Sequence, residues 1–297
     1  MSERPDPPVL QWALTAAEST AVIEAVSLQP VTRAAGTFRL RMIDRTGRTP
    51  RDFVLKVPVP GEVDASMIGT NARALQVAAS HVLSAPELIA ADLAGEAAGA
   101  PATLETWLPG NSKLPATLHP RLLEQAGAAI ATAHLITLSP SPDLPYRPRP
   151  VAVDDFAADR REQRMPTTPL LQEADQLVRA HGVPGAESVL VHGDAHPGNM
   201  LWSETGTALI DWKTAGVGDP GVDLGDLRFQ AVLRYGLEAA QPVLEGWERQ
   251  AGRRATSVAY WDAVAALNTP TDFEGWHQVE VITRRREEFL RSALARL

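Results

Sequence analysis

Val189-Leu190-Val191-His192-Gly193-Asp194-Ala195-His196-Pro197-Gly198-Asn199-Met200-Leu201-Trp202 is followed, past a turn at Thr205-Gly206, by Ala208-Leu209-Ile210-Asp211-Trp212. The first segment reads as a short apolar strand, a polar loop and a second apolar run. The second reads as another short strand that ends on a carboxylate. Asp194 and Asn199 are five residues apart, and Asp211 lies seventeen beyond Asp194. Phosphoryl transfer needs an acceptor held in line, a group to take its proton, and cations on the phosphate oxygens. Asp194 suits the proton acceptor. Magnesium prefers oxygen ligands and keeps several waters, so one carboxylate and one amide oxygen, Asp211 and Asn199, suit its protein ligands.

This order of Asp, Asn and a later Asp on the next strand is the catalytic-loop pattern of kinases. Gly193, the His196-Pro197-Gly198 run before Asn199, Asp211-Trp212, and the continuation Gly216-Val217-Gly218-Asp219-Pro220-Gly221-Val222-Asp223-Leu224 together resemble the aminoglycoside phosphotransferase family. That family includes aminoglycoside, macrolide, choline and related small-molecule kinases. The resemblance implies an α+β, two-lobed, protein-kinase-like fold, with a small antiparallel-sheet N-terminal lobe and a larger, mainly helical C-terminal lobe. It implies ATP or GTP as co-substrate, Mg2+ as cofactor, and a small-molecule hydroxyl as acceptor, with an aminoglycoside-like or other cation among the candidates. An Asp placed like Asp223 would brace the catalytic loop from the next helix, and His192 would support the loop rather than do chemistry.

The N-terminal region is read the same way. Phe53-Val54-Leu55-Lys56-Val57-Pro58 sets one Lys in an apolar strand, where an unpaired ammonium would be costly and a phosphate would remove the cost. By resemblance, Lys56 is the nucleotide-binding Lys. The phosphate-covering loop falls at Thr32–Arg39, with Gly36 as its one glycine. Leu104-Glu105-Thr106-Trp107-Leu108-Pro109-Gly110 resembles the hinge between lobes, where Glu105 and Trp107 would offer a backbone carbonyl and amide to the purine. One position departs from the family. Asn71 stands where relatives carry the helix Glu that pairs with the Lys, and Glu62 or Asp64 could substitute from the preceding loop. A nucleotide-binding pseudokinase with weak or no transfer is therefore a second reading. A third is a metal-dependent hydrolase, with zinc on His192, Asp194 and His196 and with His134 or Asp211 as a further ligand.

Around these motifs, the pattern predicts a loose, proline-rich start over residues 1–11 and a helix near Thr15–Ala25. Strands follow at Val31–Ile43 and Arg51–Val57 about a Thr46-Gly47 turn. Next come a helix at Ala65–Leu83 and strands at Leu88–Asp92 and Ala102–Trp107. Beyond Leu108-Pro109-Gly110 the chain reads as mostly helical: Pro120–Leu138, Ala152–Arg164, Thr168–His181, Asp223–Tyr235, Leu237–Gln250, Thr256–Leu267 and Trp276–Leu297. This divides the chain into residues 1–107, a nucleotide-binding lobe, and 108–297, carrying the catalytic loop and acceptor site. A cleft between the lobes is the expected ligand site.

Composition narrows the classes further. The 297 residues hold no cysteine, which excludes disulfides, thiolate nucleophiles and Cys-based zinc sites. A formal net charge of −8 argues against a nucleic-acid partner and tolerates a cationic acceptor. No leader pattern and no apolar run of membrane length stands out, so a cytoplasmic monomer or dimer without a membrane partner is expected. Asp154, Asp155, Asp159, Asp272, Glu274 and Glu280, with Trp261, Phe273 and Trp276, are candidates for receiving a cationic acceptor. Solvated helix faces and core aromatics are the plainer reading of the same residues.

Overall fold

Alternation of apolar and polar residues places Phe38, Leu40, Met42, Phe53 and Leu55 on one face of the N-terminal strands, and that face is buried. The structure is a computed structural model that describes residues 5–17, 21–28, 36–44, 50–59, 63–150, 155–185, 187–203, 206–275 and 277–297. In chain order, its elements begin with α1 (Pro7–Ala17), β1 (Ala21–Leu28), β2 (Thr37–Asp44), β3 (Arg51–Lys56), α2 (Ala65–Ser80), β4 (Leu88–Asp92) and β5 (Ala102–Thr106). They continue with α3 (Pro120–His134), α4 (Phe156–Arg161), α5 (Pro169–His181), β6 (Val189–Val191), β7 (Met200–Ser203), β8 (Gly206–Leu209) and β9 (Gly216–Gly218). The last four are α6 (Gly221–Tyr235), α7 (Ala240–Ala251), α8 (Val258–Leu267) and α9 (Val279–Leu294). The chain is thus α+β, with its large sheet first and its long helices mostly after it.

Two compact units form. One comprises residues 1–112 with 201–213, and the other 113–200 with 214–297. The first holds a five-stranded antiparallel sheet in the order β1-β2-β3-β5-β4. Val9 and Ala13 of α1 pack on its apolar face with Ala102 and Leu104. The other face carries Val54, Lys56, Thr103 and Glu105, because Val54 pairs with Glu105 and Lys56 with Thr103. The β7–β8 segment groups with this unit through backbone bonds: Asn111 pairs with Trp202, and the Leu209 amide donates to the Ser84 carbonyl at 2.9 Å.

The start of the chain differs from expectation. Residues 7–17 are helical, and 21–28 form a strand where a helix was expected. Pro7 and Pro8 stand in the first helical turn, where a missing amide costs nothing, so the prolines start α1 instead of preventing it. Val22, Ile23 and Val26 are β-branched and suit the strand that follows. The Thr46-Gly47 turn and residues 32–35 of the Thr32–Arg39 loop lie outside the described residues.

In the second unit, α3 and α7 meet at glycines. A Cβ on Gly127 would lie 2.0 Å from the Val243 carbonyl oxygen, and one on Gly246 1.9 Å from that of Glu124. The core gathers Val222 and Phe229 of α6, Trp261 of α8 and Phe289 of α9. Inside it Arg228 makes a two-pronged pair with Asp262, at 2.8 and 2.9 Å, and also donates to the Ala240 carbonyl. Both charges are satisfied by a planar fork, which is the form in which such groups tolerate burial. β6 pairs with β9, at Val189–Gly218 through Val191–Gly216, and so presents the loop that follows it from a small sheet.

Candidate active site

The loop after β6 is held from behind by the first turn of α6. Asp223 is buried and accepts hydrogen bonds from the amides of His192, at 2.6 Å, and Gly193, at 2.9 Å. It also accepts from His134 Nε2 at 3.1 Å. The other ring nitrogen of His134 accepts from Trp247 Nε1 at 2.8 Å, so these two partners assign the neutral tautomer with its proton on Nε2. Burial pushes the Asp223 carboxyl up, but the His134 hydrogen bond and the other donors outweigh it and hold its pKa below the ordinary value. Gly193 has a φ of 78°, and a Cβ there would lie 2.2 Å from the Thr214 carbonyl oxygen. Only glycine fits that turn.

Asp194 follows directly. Asn199 closes the loop by donating from Nδ2 to the Asp194 backbone oxygen and to its carboxylate Oδ2, both at 3.0 Å. This fixes the carboxylate and leaves the Asn199 carbonyl oxygen as the end suited to a hard cation. His196 Nδ1 accepts from the Gly198 amide at 2.9 Å, so this imidazole caps the Pro197–Asn199 turn. His134 and His196 hold the loop in shape by their side chains, and His192 does so by its backbone amide. The zinc reading therefore loses His134 and one face of His196. Among the described residues, no group of three or more His, Asp or Glu could hold a metal ion.

The other unit gathers Lys56, Asn71, Glu105 and Asp211. Lys56 is 6% exposed. Its Nζ donates to Asn71 Oδ1 at 2.9 Å and to Asp211 Oδ1 at 3.3 Å, and it lies 3.6 Å from Glu105 Oε1. Burial alone would lower its pKa; the charges of Glu105 and then Asp211 outweigh that and raise it. Asp211 has a φ of 65°, a left-handed conformation that a side-chain-bearing residue seldom holds without a reason. Its turn is anchored by Trp212, fully buried, whose Nε1 donates to the Leu209 carbonyl. Lys213 Nζ sits 2.5 Å from Asp211 Oδ2.

Several expectations are refined here. Asp64 is not the partner of Lys56: it caps α2, accepting from the Met67 amide at 3.0 Å and the Ser66 hydroxyl at 2.6 Å. Glu62 lies outside the described residues. The Glu105 backbone lies within the sheet, opposite Val54 on one side and Leu88 on the other, so this residue reaches the site by its side chain. Trp107 lies just past β5, under the Arg39 guanidinium at 4.3 Å from the ring centre. Gly36 has a φ of 73° and its carbonyl accepts from the Val57 amide at 2.9 Å, next to Lys56.

Among the acceptor candidates, Asp155 caps α4 and pairs with Arg149, and Asp159 pairs with Arg164. Trp261 is a core residue, and Phe273 is buried under Arg286. Asp154 and Trp276 lie outside the described residues. Asp226 was not anticipated. It is buried one turn beyond Asp223; burial, and then the charge of Asp194, push its carboxyl well above the ordinary range. Its signal in the sequence was its spacing from Asp223, three residues along one helix face.

Comparison with known proteins identifies the fold and the family. Solved structures with the same fold include an aminoglycoside phosphotransferase from Alicyclobacillus acidocaldarius, with TM-score 0.60 and 14% identity over 99% of this chain and 97% of that one. They also include an amicoumacin kinase in complex with AMP-PNP, Ca2+ and Ami, with TM-score 0.59 and 14% identity over 95% and 93%. A third is the GDP and kanamycin complex of APH(2")-IIia, with TM-score 0.58 and 14% identity over 96% and 95%. The fold is the two-lobed, kinase-like α+β fold. The model of the phosphotransferase enzyme family, APH, matches residues 31–267, which take in Lys56, the β6–α6 loop and Asp211, and the chain belongs to that family.

Proposed function

We propose that the protein transfers the γ-phosphate of ATP or GTP to a hydroxyl group of a small molecule. The observation that carries this reading is the contact of Lys56 with Asp211, 155 residues later in the chain, at 3.3 Å. It puts a buried ammonium beside a carboxylate held in a left-handed turn, the pair needed to handle charged phosphates. Asp194, fixed by Asn199, is the group for the acceptor. The acceptor oxygen attacks the γ-phosphorus as the bond to the bridging oxygen of the β-phosphate breaks. The hydroxyl proton passes to Asp194, and the nucleoside diphosphate departs with the released charge. Lys56 neutralises phosphate charge, Gly36 belongs to the loop over the phosphates, and Trp107 lies at the hinge that receives the purine.

Asp211 and Asn199 offer oxygen donors and would be the protein ligands of Mg2+, an ion that takes few of them. When bound, the ion neutralises charge on the phosphate oxygens. The AMP-PNP and Ca2+ complex of the amicoumacin kinase supports a nucleotide and a divalent cation, and the GDP complex keeps GTP open as donor. Kanamycin in the latter, with the net charge of −8 here, supports a cationic acceptor.

A thermal-shift titration with ATP and GTP, with and without Mg2+, tests the reading. We expect magnesium-dependent stabilisation in the wild type, and its loss in Asp211→Ala with the starting melting temperature little changed. Unaltered magnesium-dependent affinity in that variant would remove Asp211 from its role. The second reading, a nucleotide binder without efficient transfer, rests on the neutral Asn71.

A further inference from the structure

Asn71 leaves Lys56 without the expected helix carboxylate, yet the structure surrounds this ammonium with negative charge. Asn71 is fully buried on α2 and works from both ends. Its Oδ1 accepts from Lys56 Nζ at 2.9 Å, and its Nδ2 donates to Glu105 Oε1 at 2.6 Å. The amide cannot be turned over, because that would set its NH2 against the ammonium and its oxygen against the carboxylate. The hydroxyl of Thr103 donates to the same Glu105 oxygen at 3.3 Å, and Glu105 is 1% exposed. Ammonium-to-amide and amide-to-carboxylate bonds run one way, the Thr103 hydroxyl donates from the other side, and all converge on Glu105 in a buried setting, where such networks reinforce one another.

We infer that Glu105 is the positioning residue for Lys56, acting directly at 3.6 Å and through the bridging amide of Asn71, so that strand β5 supplies what a helix carboxylate would supply. The role rests on the reading of Lys56 as the phosphate-binding cation. Asp211 does not make Glu105 redundant: its second oxygen holds Lys213, and it is the proposed ligand of the metal. Asn71 and Glu105 are also coupled positions. A Glu at 71 would bring a second carboxylate against the first, and two buried like charges in contact repel strongly. One acid at either place is compatible with the site; two are not.

A charge exchange tests this in the full-length protein. The sequence has three lysines, Lys56, Lys113 and Lys213, so isotope-labelled lysine gives a spectrum simple enough to follow the position of the Lys56 signal by NMR at one fixed pH. Calorimetry with Mg2+ and AMP-PNP measures nucleotide binding in parallel. Glu105→Gln should shift the Lys56 signal and weaken AMP-PNP binding by roughly tenfold or more, as loss of one member of a buried charge pair does. Asn71→Glu combined with Glu105→Gln should restore both, whereas Asn71→Glu alone should not improve binding. The inference is overturned if Glu105→Gln leaves both quantities unchanged, or if the exchanged pair is no better than Glu105→Gln. Failure of the wild type itself to bind AMP-PNP would overturn the phosphate reading instead, and would appear as a loss common to every variant, while the Lys56 signal would still report its relation to Glu105.

Discussion

Asp223 and Asp226 lie one turn apart on α6, and the same burial has opposite outcomes at the two carboxyls. Asp223 has three donors and its pKa is lowered; Asp226 has Gln230 at 3.4 Å and the charge of Asp194 against it, and its pKa is raised. The folded state therefore binds a proton at Asp226 at pH values where the unfolded chain has released it. Stability on this account falls as pH rises from the ordinary Asp value towards the raised folded one. Asp226→Asn removes that dependence. Its melting temperature should exceed the wild type's at pH 7 by roughly 2–4 °C, with the gap closing near pH 4. Parallel pH profiles in the two proteins would contradict the assignment. Asp194, Asn199 and Asp211 stood out in the sequence as candidates because type, order and spacing were all constrained at once. Asp226 did not, since a carboxylate on an amphipathic helix ordinarily faces water. Glu105 was legible only as backbone in a hinge, because the pairing that turns its side chain towards Lys56 is between strands far apart in sequence.

At the level of elements, the proposed catalytic loop depends on a glycine and a helix. In Gly193→Ala the new Cβ would meet the Thr214 backbone in a left-handed turn. We expect a loss of about 2 kcal/mol or more in stability, measured by urea unfolding, with phosphate transfer reduced further by displacement of Asp194. An unchanged midpoint would mean that the loop adapts. The α3–α7 contact sets a second test. Gly127→Ala places a Cβ against the backbone of Val243, so the helices must part, at about 1–3 kcal/mol, whereas Ala for Gly at an open helical site would stabilise. The sign of the change decides between the two. Most elements were readable from periodicity, strands by alternation and helices by apolar stripes. α1 and β1 were exchanged because prolines that begin a helix look like a loose end. β9 went unseen because Gly216-Val217-Gly218 has no strand pattern of its own and is a strand only by pairing with β6.

At the scale of the molecule, the residues proposed for transfer fall in different units: Lys56, Glu105 and Asp211 belong to one, Asp194 and Asn199 to the other. The division is not a single cut, because residues 201–213 return to the N-terminal unit and carry Asp211 to Lys56. No sequence pattern announced that return; backbone bonds of β7 and β8 to residues 111 and 84 produce it. Among the described residues no helix is long and apolar enough to cross a membrane. The most direct test of the central claim is transfer of labelled γ-phosphate from ATP or GTP, with Mg2+, to a panel of hydroxyl-bearing small molecules that includes aminoglycosides. The account predicts a labelled acceptor with the wild type and a drop of roughly 100- to 10,000-fold in Asp194→Ala, with nucleotide affinity retained. Equal transfer by the two proteins, or no transfer to any acceptor by a wild type that binds the nucleotide, would contradict it.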